Sequence, residues 1–159
     1  MREPSESLHR LVGCVNLLDV SYLELVSRRK GNELSAEGGD VAVEAAPQYQ
    51  LGVDRNDDGT RFRLRLKIEI NGDFGDVIAE AAAEYEQGEF SNAELTQDLL
   101  VDFADHVAVM TLLPYLRQAI ADLTQRVFDA PLLMPILPRG SVSFAPTAES
   151  ADKATQIDG

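Results

Sequence analysis

Residues 61–70 read RFRLRLKIEI, an unbroken alternation of charged and apolar side chains. An alternation of period two predicts a β-strand that buries one face and leaves the other in water. Asn71 and Gly72 follow directly, and this pair is typical of a turn between two strands. We therefore predict a strand here that turns back against the next segment of the chain.

That next segment, residues 77–86, is ambiguous because its alanines and glutamates favour a helix. Pairing favours a strand: with Ile70 opposite Val77, opposite charges face each other on one side, at about 0.2–1 kcal/mol per pair. The predicted charged pairs are Lys67 with Glu80, Arg63 with Glu84, and Arg61 with Glu86. The predicted apolar pairs are Ile68 with Ala79, Leu66 with Ala81, and Leu64 with Ala83. Alanines on the apolar side would leave room for a helix.

Two further strands are predicted before this hairpin. Residues 11–26 are apolar on both parities, which indicates a strand covered on both faces. Residues 41–53 alternate again, and Pro47 indicates an edge or a bend because proline cannot donate to a sheet. Residues 27–40 form a long charged connection, and residues 54–59 form a turn.

A long helix is predicted after the strands. Its apolar stripe repeats about every 3.6 positions, the α-helical period, and Ser91 or Asn92 is its expected N-cap. About 35 residues at ~1.5 Å each span roughly 50 Å, which exceeds the ~40 Å diameter of a compact chain of this size. Pro114 permits a bend. The stripe consists of Leu95, Leu99, Phe103, Val107, Met110, Leu113, Leu116, Ile120, Leu123 and Val127.

A second apolar stripe runs beside the first on the same helix. It consists of Leu100, Ala104, Ala108, Leu112, Tyr115 and Ala119. A helix that packs on a single sheet needs only one apolar face. We therefore predict that the second stripe contacts another copy of the chain.

The segment that follows the helix, residues 128–138, reads FDAPLLMPILP. Its prolines exclude a regular helix, and its large apolar side chains are costly to leave in water. The segment must cover something or be covered. Residues 145–159 are small and polar, and we expect them to be disordered. The chain is thus predicted to be a single domain over residues 1–144 with a polar tail.

Composition excludes several classes of function. The formal net charge of −13 over 159 residues argues against a general nucleic-acid binder and against docking on anionic lipid. A lone cysteine, Cys14, favours a reducing compartment. Residues 1–8 lack a signal-peptide core, and no apolar run approaches the roughly 18 residues of a membrane span. We expect a soluble cytoplasmic protein.

Catalytic signatures are missing from the sequence. It contains neither a GxSxG nucleophile motif nor a phosphate-binding glycine loop. Asp102 and His106 lie four residues apart but are too few to indicate a metal site. Cys14 reads as an inert buried thiol in the first strand, and the basic stripe of the hairpin reads as a solvated sheet face. The sequence therefore favours a binding module over an enzyme, with no metal and no cofactor.

Residues 112–126, LLPYLRQAIADLTQR, resemble the SecB export-chaperone family, in which an apolar pair precedes Pro-Tyr-x-Arg and an amphipathic turn ends in arginine. A proline-broken apolar loop follows in that family, as residues 131–138 follow here. Residues 19–22, DVSY, resemble the family's Asp-Ile-Ser-Phe segment in the first strand. The resemblance covers about residues 10–144.

The resemblance implies an α+β fold in which a four-stranded antiparallel sheet packs against one long, proline-kinked helix. It implies a dimer of dimers with the helices at its centre. It also implies an ATP-independent holdase that keeps unfolded preproteins in hydrophobic grooves and delivers them to the SecA motor. Some SecB-like proteins instead protect the antitoxin of a toxin–antitoxin system, and that alternative remains open here.

Two sets of site residues follow from this resemblance and from the exposed apolar loop. The residues predicted to bind clients are Phe128, Leu132, Leu133, Met134, Ile136 and Leu137. The residues predicted to dock the motor are Asp19, Glu24, Ile78 and Glu80. No bound nucleotide, nucleic acid or membrane insertion is expected.

Overall fold

Four antiparallel strands and one long helix make up most of the computed structural model, which describes residues 5–30 and 46–134. The elements are α1 (Glu6–Cys14), β1 (Asn16–Arg29), β2 (Gln48–Arg55), β3 (Arg61–Gly72), β4 (Gly75–Glu86), α2 (Gln97–Phe103), a π-helical turn (Ala104–Ala108) and α3 (Val109–Phe128). The strands lie in the order β1-β4-β3-β2. The predicted fold class is confirmed.

The β3–β4 hairpin has the predicted register. Ile70 lies opposite Val77, and all six predicted charged and apolar pairs are Cα partners. The apolar side of both strands is buried, and the three alanines of β4 on that side, Ala79, Ala81 and Ala83, are 0% exposed beneath the helix. Ion pairs form on the diagonal instead, because long side chains reach the neighbour two residues along the partner strand. Arg65, for example, contacts Glu80 at 3.1 Å and Arg61 contacts Glu84 at 3.4 Å.

The first element of the described residues is a helix, and the prediction that the first strand starts at residue 11 was wrong. The hydroxyl of Ser5 caps α1 by accepting a hydrogen bond from the amide of Leu8 at 3.2 Å. Leu8 and Leu11, three residues apart, are buried on one helical face. Cys14 is the last residue of this helix and is half-buried, so it is not a thiol enclosed in a strand.

The strand boundaries differ in detail from the prediction. The structure begins β2 at Gln48, directly after Pro47, and confirms it as an edge strand; the predicted residues 41–45 lie outside the described part. Asp54 and Arg55 belong to β2 and not to the turn. Likewise β3 continues through Asn71 and Gly72 because both pair with β4.

The long helix starts later than predicted and contains an unexpected irregularity. Thr96 is its N-cap and accepts a hydrogen bond from the amide of Leu99 at 3.2 Å. Ser91 and Glu94 instead close a separate turn through reciprocal bonds of 3.0 and 3.3 Å. The π-turn adds one residue before α3, which includes Pro114. The helical run from Gln97 to Phe128 is 32 residues long.

The π-turn shifts the buried face of the helix by one position. The predicted stripe placed Val107 and Met110 in the core, yet both are only half-buried. Ala108 and Val109 are buried in their place, at 0 and 4% exposure. An α-helix that gains one residue in a turn must rotate its later side chains by about 100°.

The second apolar stripe fills the core of the chain itself. Leu100, Ala104, Ala108 and Leu112 are 0% exposed and Ala119 is 8% exposed, whereas Tyr115 is 46% exposed. The prediction that this stripe contacts another copy is therefore wrong for the five buried residues, because the helix packs a wide face against its own sheet. Tyr115 is the member that stays accessible.

Candidate functional site

Edge strand β1 carries most of the large exposed apolar side chains in the described part of the chain. Five of these eight side chains lie on β1 and are 40–45% exposed. They are Leu17, Leu18, Tyr22, Leu23 and Leu25, and we call them the β1 strip. The expectation that both faces of this strand are covered is wrong within one chain, because these side chains keep 40–45% of their surface exposed. As an edge strand, β1 also pairs only with β4.

Two irregularities shape the β1 strip. The pairing with β4 shifts between Leu17 and Asp19 and again between Tyr22 and Glu24, so Leu18 and Leu23 have no partner residue. Leu17, Tyr22 and Leu25 lie opposite Tyr85, Ala81 and Ala79. Directly opposed residues share a face of the sheet, so these three side chains are on the side that faces the helix.

Tyr115 joins the β1 strip to the long helix. The hydroxyl of Tyr22 donates a hydrogen bond of 3.0 Å to the backbone carbonyl of Tyr115. Both side chains remain exposed, at 44 and 46%. An accessible apolar surface thus extends from the edge strand to the flank of α3.

A second apolar feature follows α3. The helix ends at Phe128, whose ring packs edge-to-face on Phe74 with centroids 5.1 Å apart. Asp129 takes the left-handed conformation with a φ of 60°, which is typical of a helix C-terminus. The chain then continues without regular structure through residues 129–134, which we call the strap.

Thr124 attaches the strap to the helix. Its hydroxyl donates to the carbonyl of Ile120 at 2.7 Å and accepts from the amide of Leu132 at 2.7 Å. Thr124 itself is 1% exposed. The backbone of the strap is thereby fixed at the level of the last helical turns.

The described residues that were predicted to bind clients fall into two groups by their exposure to solvent. Phe128 and Met134 are 7 and 4% exposed and belong to the core, so they do not present a surface to a client. Leu132 is half-buried against the core, and Leu133 is 76% exposed. Ile136 and Leu137 lie outside the described residues.

The residues predicted to dock a motor all lie on the sheet face opposite the helix. Glu24 and Glu80 are direct partners across β1 and β4, and Ile78 is the partner of Val26. The two glutamates are neutralised within the chain: Glu24 contacts Lys67 at 3.5 Å and Glu80 contacts Arg65 at 3.1 Å. Asp19 is exposed and pairs in register with Glu84. The negative charge of the predicted docking residues is therefore partly compensated by Arg65 and Lys67 of β3.

Arg65 is the centre of this compensated face. Its guanidinium contacts Asp54 at 2.8 Å as well as Glu80, and Asp54 also contacts Arg63 at 2.9 Å. A Cβ on Gly52 would lie 2.6 Å from an Nη atom of Arg65, so glycine lets the arginine lie flat across β2. An open cavity of about 230 Å³ adjoins this network at the β2–β3 hairpin, and charged side chains line most of it. It does not resemble an apolar binding groove.

Charged contacts also hold α1 against the turn that precedes α2. Arg10 contacts Glu94 at 2.5 Å and lies 4.4 Å from the ring centroid of Phe90. The pKa of Glu94 is lowered to about 2, first by the backbone amide of Ser91 and then by Arg10. Burial raises the pKa of Tyr85 and of Tyr49. These pKa shifts arise from structural contacts and from burial, and none of them indicates an acid–base pair.

The described residues offer no cluster of three or more metal-ligating side chains. His106 Nδ1 lies 2.8 Å from the backbone carbonyl of Asp102, so the imidazole contacts the helix backbone. By length and composition the helix Gln97–Phe128 could cross a membrane, with a hydropathy of 1.4 over its best window, but half of that window is buried in the fold. Such burial is typical of a core helix.

Sequence reasoning missed two contributors to these surfaces. Thr124 has no signal of its own in the sequence, because its role needs the strap to fold back and no local pattern shows that. The β1 strip has a signal, apolar residues on both parities, but that pattern by itself predicts a strand covered on both faces. Apolar residues on both faces of an edge strand indicate equally well a surface that awaits a partner.

Comparison with known proteins identifies the fold. No family model matches the chain, and no curated protein matches it. Among solved structures, the SecB-like chaperone Rv1957 of Mycobacterium tuberculosis, in complex with a ChAD peptide from the HigA1 antitoxin Rv1956, is similar with a TM-score of 0.69 and 21% identity. The match covers 85% of this chain and 99% of that one. The chain therefore has a SecB-like fold.

A protein of unknown function from Streptococcus agalactiae is also similar, with 19% identity and a TM-score of 0.42 over 77% of this chain and 97% of that one. That TM-score is too low to support an argument about fold or function.

Proposed function

We propose that this protein is an ATP-independent holdase that binds unfolded segments of other proteins through the strap. The observation that carries the proposal is Leu133, which is 76% exposed on a segment whose neighbours are anchored in the core of a SecB-like fold. Burial of apolar surface contributes about 25 cal/mol per Å² with little demand on sequence. A leucine held in water on a fixed backbone suits such binding. Nothing in this mechanism requires a catalytic group.

The holdase activity is tested by suppression of aggregation. The protein, without nucleotide, should reduce light scattering of several unrelated unfolded clients. Leu133→Ser should weaken this suppression. Val12→Ser is the matched control because Val12 is an exposed apolar residue, at 45%, on α1 and outside the strap. Equal suppression by wild type and Leu133→Ser would refute the role of the strap.

The proposal includes a homo-oligomer, a dimer of dimers as the resemblance implies. The β1 strip and Tyr115 support a contact with a second copy better than the buried second stripe does. A strand with one free edge and exposed leucines is a ready surface for another chain. Leu23→Glu should lower the mass measured by light scattering, whereas Val12→Glu should not. A wild-type protein that remains a 17.4 kDa monomer would contradict this part.

Two branches of the holdase function remain: service to protein export through SecA, and dedication to one antitoxin. The SecB-like neighbour bound to an antitoxin peptide favours the second branch mildly. The internal pairing of Glu24 with Lys67 and of Glu80 with Arg65 points the same way, since paired acids have less charge to offer a motor. In either branch we propose that the protein acts in the cytoplasm.

The branches differ in client range and motor binding. A general export chaperone should protect several unrelated clients and bind purified SecA. A dedicated chaperone should protect one client far better than the others and should not bind SecA. Binding to SecA that survives Glu80→Gln would exclude Glu80 as a docking residue, though not export itself.

A further inference from the structure

Thr124 is one of two buried polar residues in the described part of the chain, together with Gln87. The side-chain nitrogen of Gln87 donates to the carbonyl of Phe90 and to Asn92 Oδ1 in the turn that precedes α2, whereas its Oε1 is buried without a hydrogen-bond partner. The hydroxyl of Thr124 does more than fulfil its own hydrogen-bonding capacity, since it also connects α3 to the strap at Leu132. Its donor bond to Ile120 alone would suffice for a buried threonine in a helix.

The strap has few other polar anchors. The ion pair of Arg29 with Asp129 is 3.5 Å long, with side chains 57 and 85% exposed, and such exposed pairs contribute little. Side chains then alternate along the strap: Leu132 lies half-buried, Leu133 points to solvent, and Met134 is buried. If the strap were shifted by one residue along this alternation, Leu133 would be buried and Leu132 and Met134 would be exposed.

We infer that Thr124 is a positioning residue for client binding. Its bond to the amide of Leu132 fixes which strap residue faces the solvent, and so keeps Leu133 outward before any client arrives. Because the strap is already ordered, it loses less conformational entropy when a client binds. This inference rests on the proposed holdase function and adds to it a residue that touches no client.

The experiment compares Thr124→Val, which is nearly isosteric but has no hydroxyl, with Thr124→Ser, which keeps it. The probe is reduced, carboxymethylated α-lactalbumin with a fluorescent label, and the readouts are its Kd and hydrogen exchange at the amide of Leu132. Thr124→Val should deprotect that amide and weaken binding about 3–10-fold, the range that loss of one hydrogen bond produces. Thr124→Ser should retain both protection and affinity.

Each outcome decides the inference. Deprotection of Leu132 with unchanged affinity would overturn it, as would full protection in Thr124→Val. Loss of affinity in Thr124→Ser would show a packing effect and would also overturn it. A wild-type protein that does not bind the probe would refute the proposed function instead.

A second pair of variants serves if Thr124→Val does not fold. Leu132→Pro removes the amide donor at the other end of the same bond, and Leu132→Ala shortens the side chain but keeps the donor. Weaker binding by the proline variant than by the alanine variant supports the inference. Equal binding by the two variants contradicts it.

Discussion

Strands β4 and β1 are hydrogen-bonded neighbours with similar apolar content, yet one is buried and the other is exposed. On the side that faces the helix, Ala79 and Ala81 of β4 are 0% exposed. Their partners in β1, Leu25 and Tyr22, are 43 and 44% exposed. The inner strand has a neighbour on each side, whereas β1 has one. Position in the sheet decides burial here, and the surplus apolar surface of β1 is the part available to a partner.

The test with the largest expected effect replaces one leucine on an inner strand, β3, and one leucine on the edge strand β1. Leu66→Ala, in the inner part of the sheet at 0% exposure, should reduce the free energy of unfolding by about 2–5 kcal/mol. Leu25→Ala on β1 should reduce it by less than ~1 kcal/mol because the side chain is already partly in water. Urea denaturation of both variants measures the difference. Equal losses would mean that β1 is as buried in solution as the inner strand β3, on which Leu66 lies.

The next test concerns Gly75, where the start of β4 lies against the end of β1. A Cβ on Gly75, at the start of β4, would lie 2.0 Å from the carbonyl of Arg28 and 2.8 Å from the ring of Phe128, and its φ is 153°. Gly75→Ala should therefore destabilise the protein by about 1–3 kcal/mol.

Gly13, near the end of α1, is the matched control for Gly75 because a Cβ there meets nothing within 4 Å. Gly13→Ala should stabilise the protein by roughly 0.4–1 kcal/mol. Thermal unfolding of the two variants should move the midpoint in opposite directions. A shift of the same sign in both would contradict the tight approach of β4 to β1.

A smaller effect is expected where β1 meets α3. Tyr22→Phe removes the bond to the carbonyl of Tyr115 and should cost about 0.5–1.5 kcal/mol. Tyr115→Phe keeps that bond, because the backbone accepts it, and should cost less. Chemical denaturation should rank the two variants in this order, and the reverse order would show that the side chain of Tyr115 matters more than its carbonyl.

The smallest effect is a pH dependence confined to α1, the helix that leads into β1. The pKa of Glu94 is lowered to about 2 in the folded chain from an ordinary value of 4.5. A lowered pKa stabilises the folded state above the unfolded value and loses that contribution as the pH falls from about 4.5 to 2. The protection factors of the Leu8 and Leu11 amides, which are hydrogen-exchange rates relative to the intrinsic rate at each pH, should fall over this interval in wild type. Glu94→Gln should flatten this pH dependence. A wild-type profile without pH dependence would show that the contact of Arg10 with Glu94 does not hold α1.

The sequence predicted those parts of the fold that repeat at the period of a single element. The β3–β4 register followed because only one alignment brings Lys67 to Glu80 while it places alanines under the helix. The long helix followed from its 3.6-residue period. The exposed position of Leu133 could be expected from a proline-rich apolar segment, but the burial of Met134 one residue later could not.

The predictions were wrong where one element of secondary structure joins another or where the helical period changes. Leu11 and Cys14 continue the apolar run of β1, and no local signal separates helix from strand except Ser5 as an N-cap. The π-turn has no sequence signature in Ala104–Ala108, so the buried face was displaced by one residue. The second stripe was assigned to another copy because the width of a helix–sheet contact cannot be read from one helix.

The unpaired leucines of β1 bear on aggregation. A straight edge strand rich in leucine invites open-ended addition of identical strands, which leads to fibrils. Leu18 and Leu23 interrupt the pairing of β1 within fourteen residues, and each interruption twists the strand away from a flat template. A single well-shaped neighbour can accommodate such a twist, whereas an unlimited stack cannot. We therefore expect these two irregularities to disfavour the growth of fibrils from the exposed edge of β1.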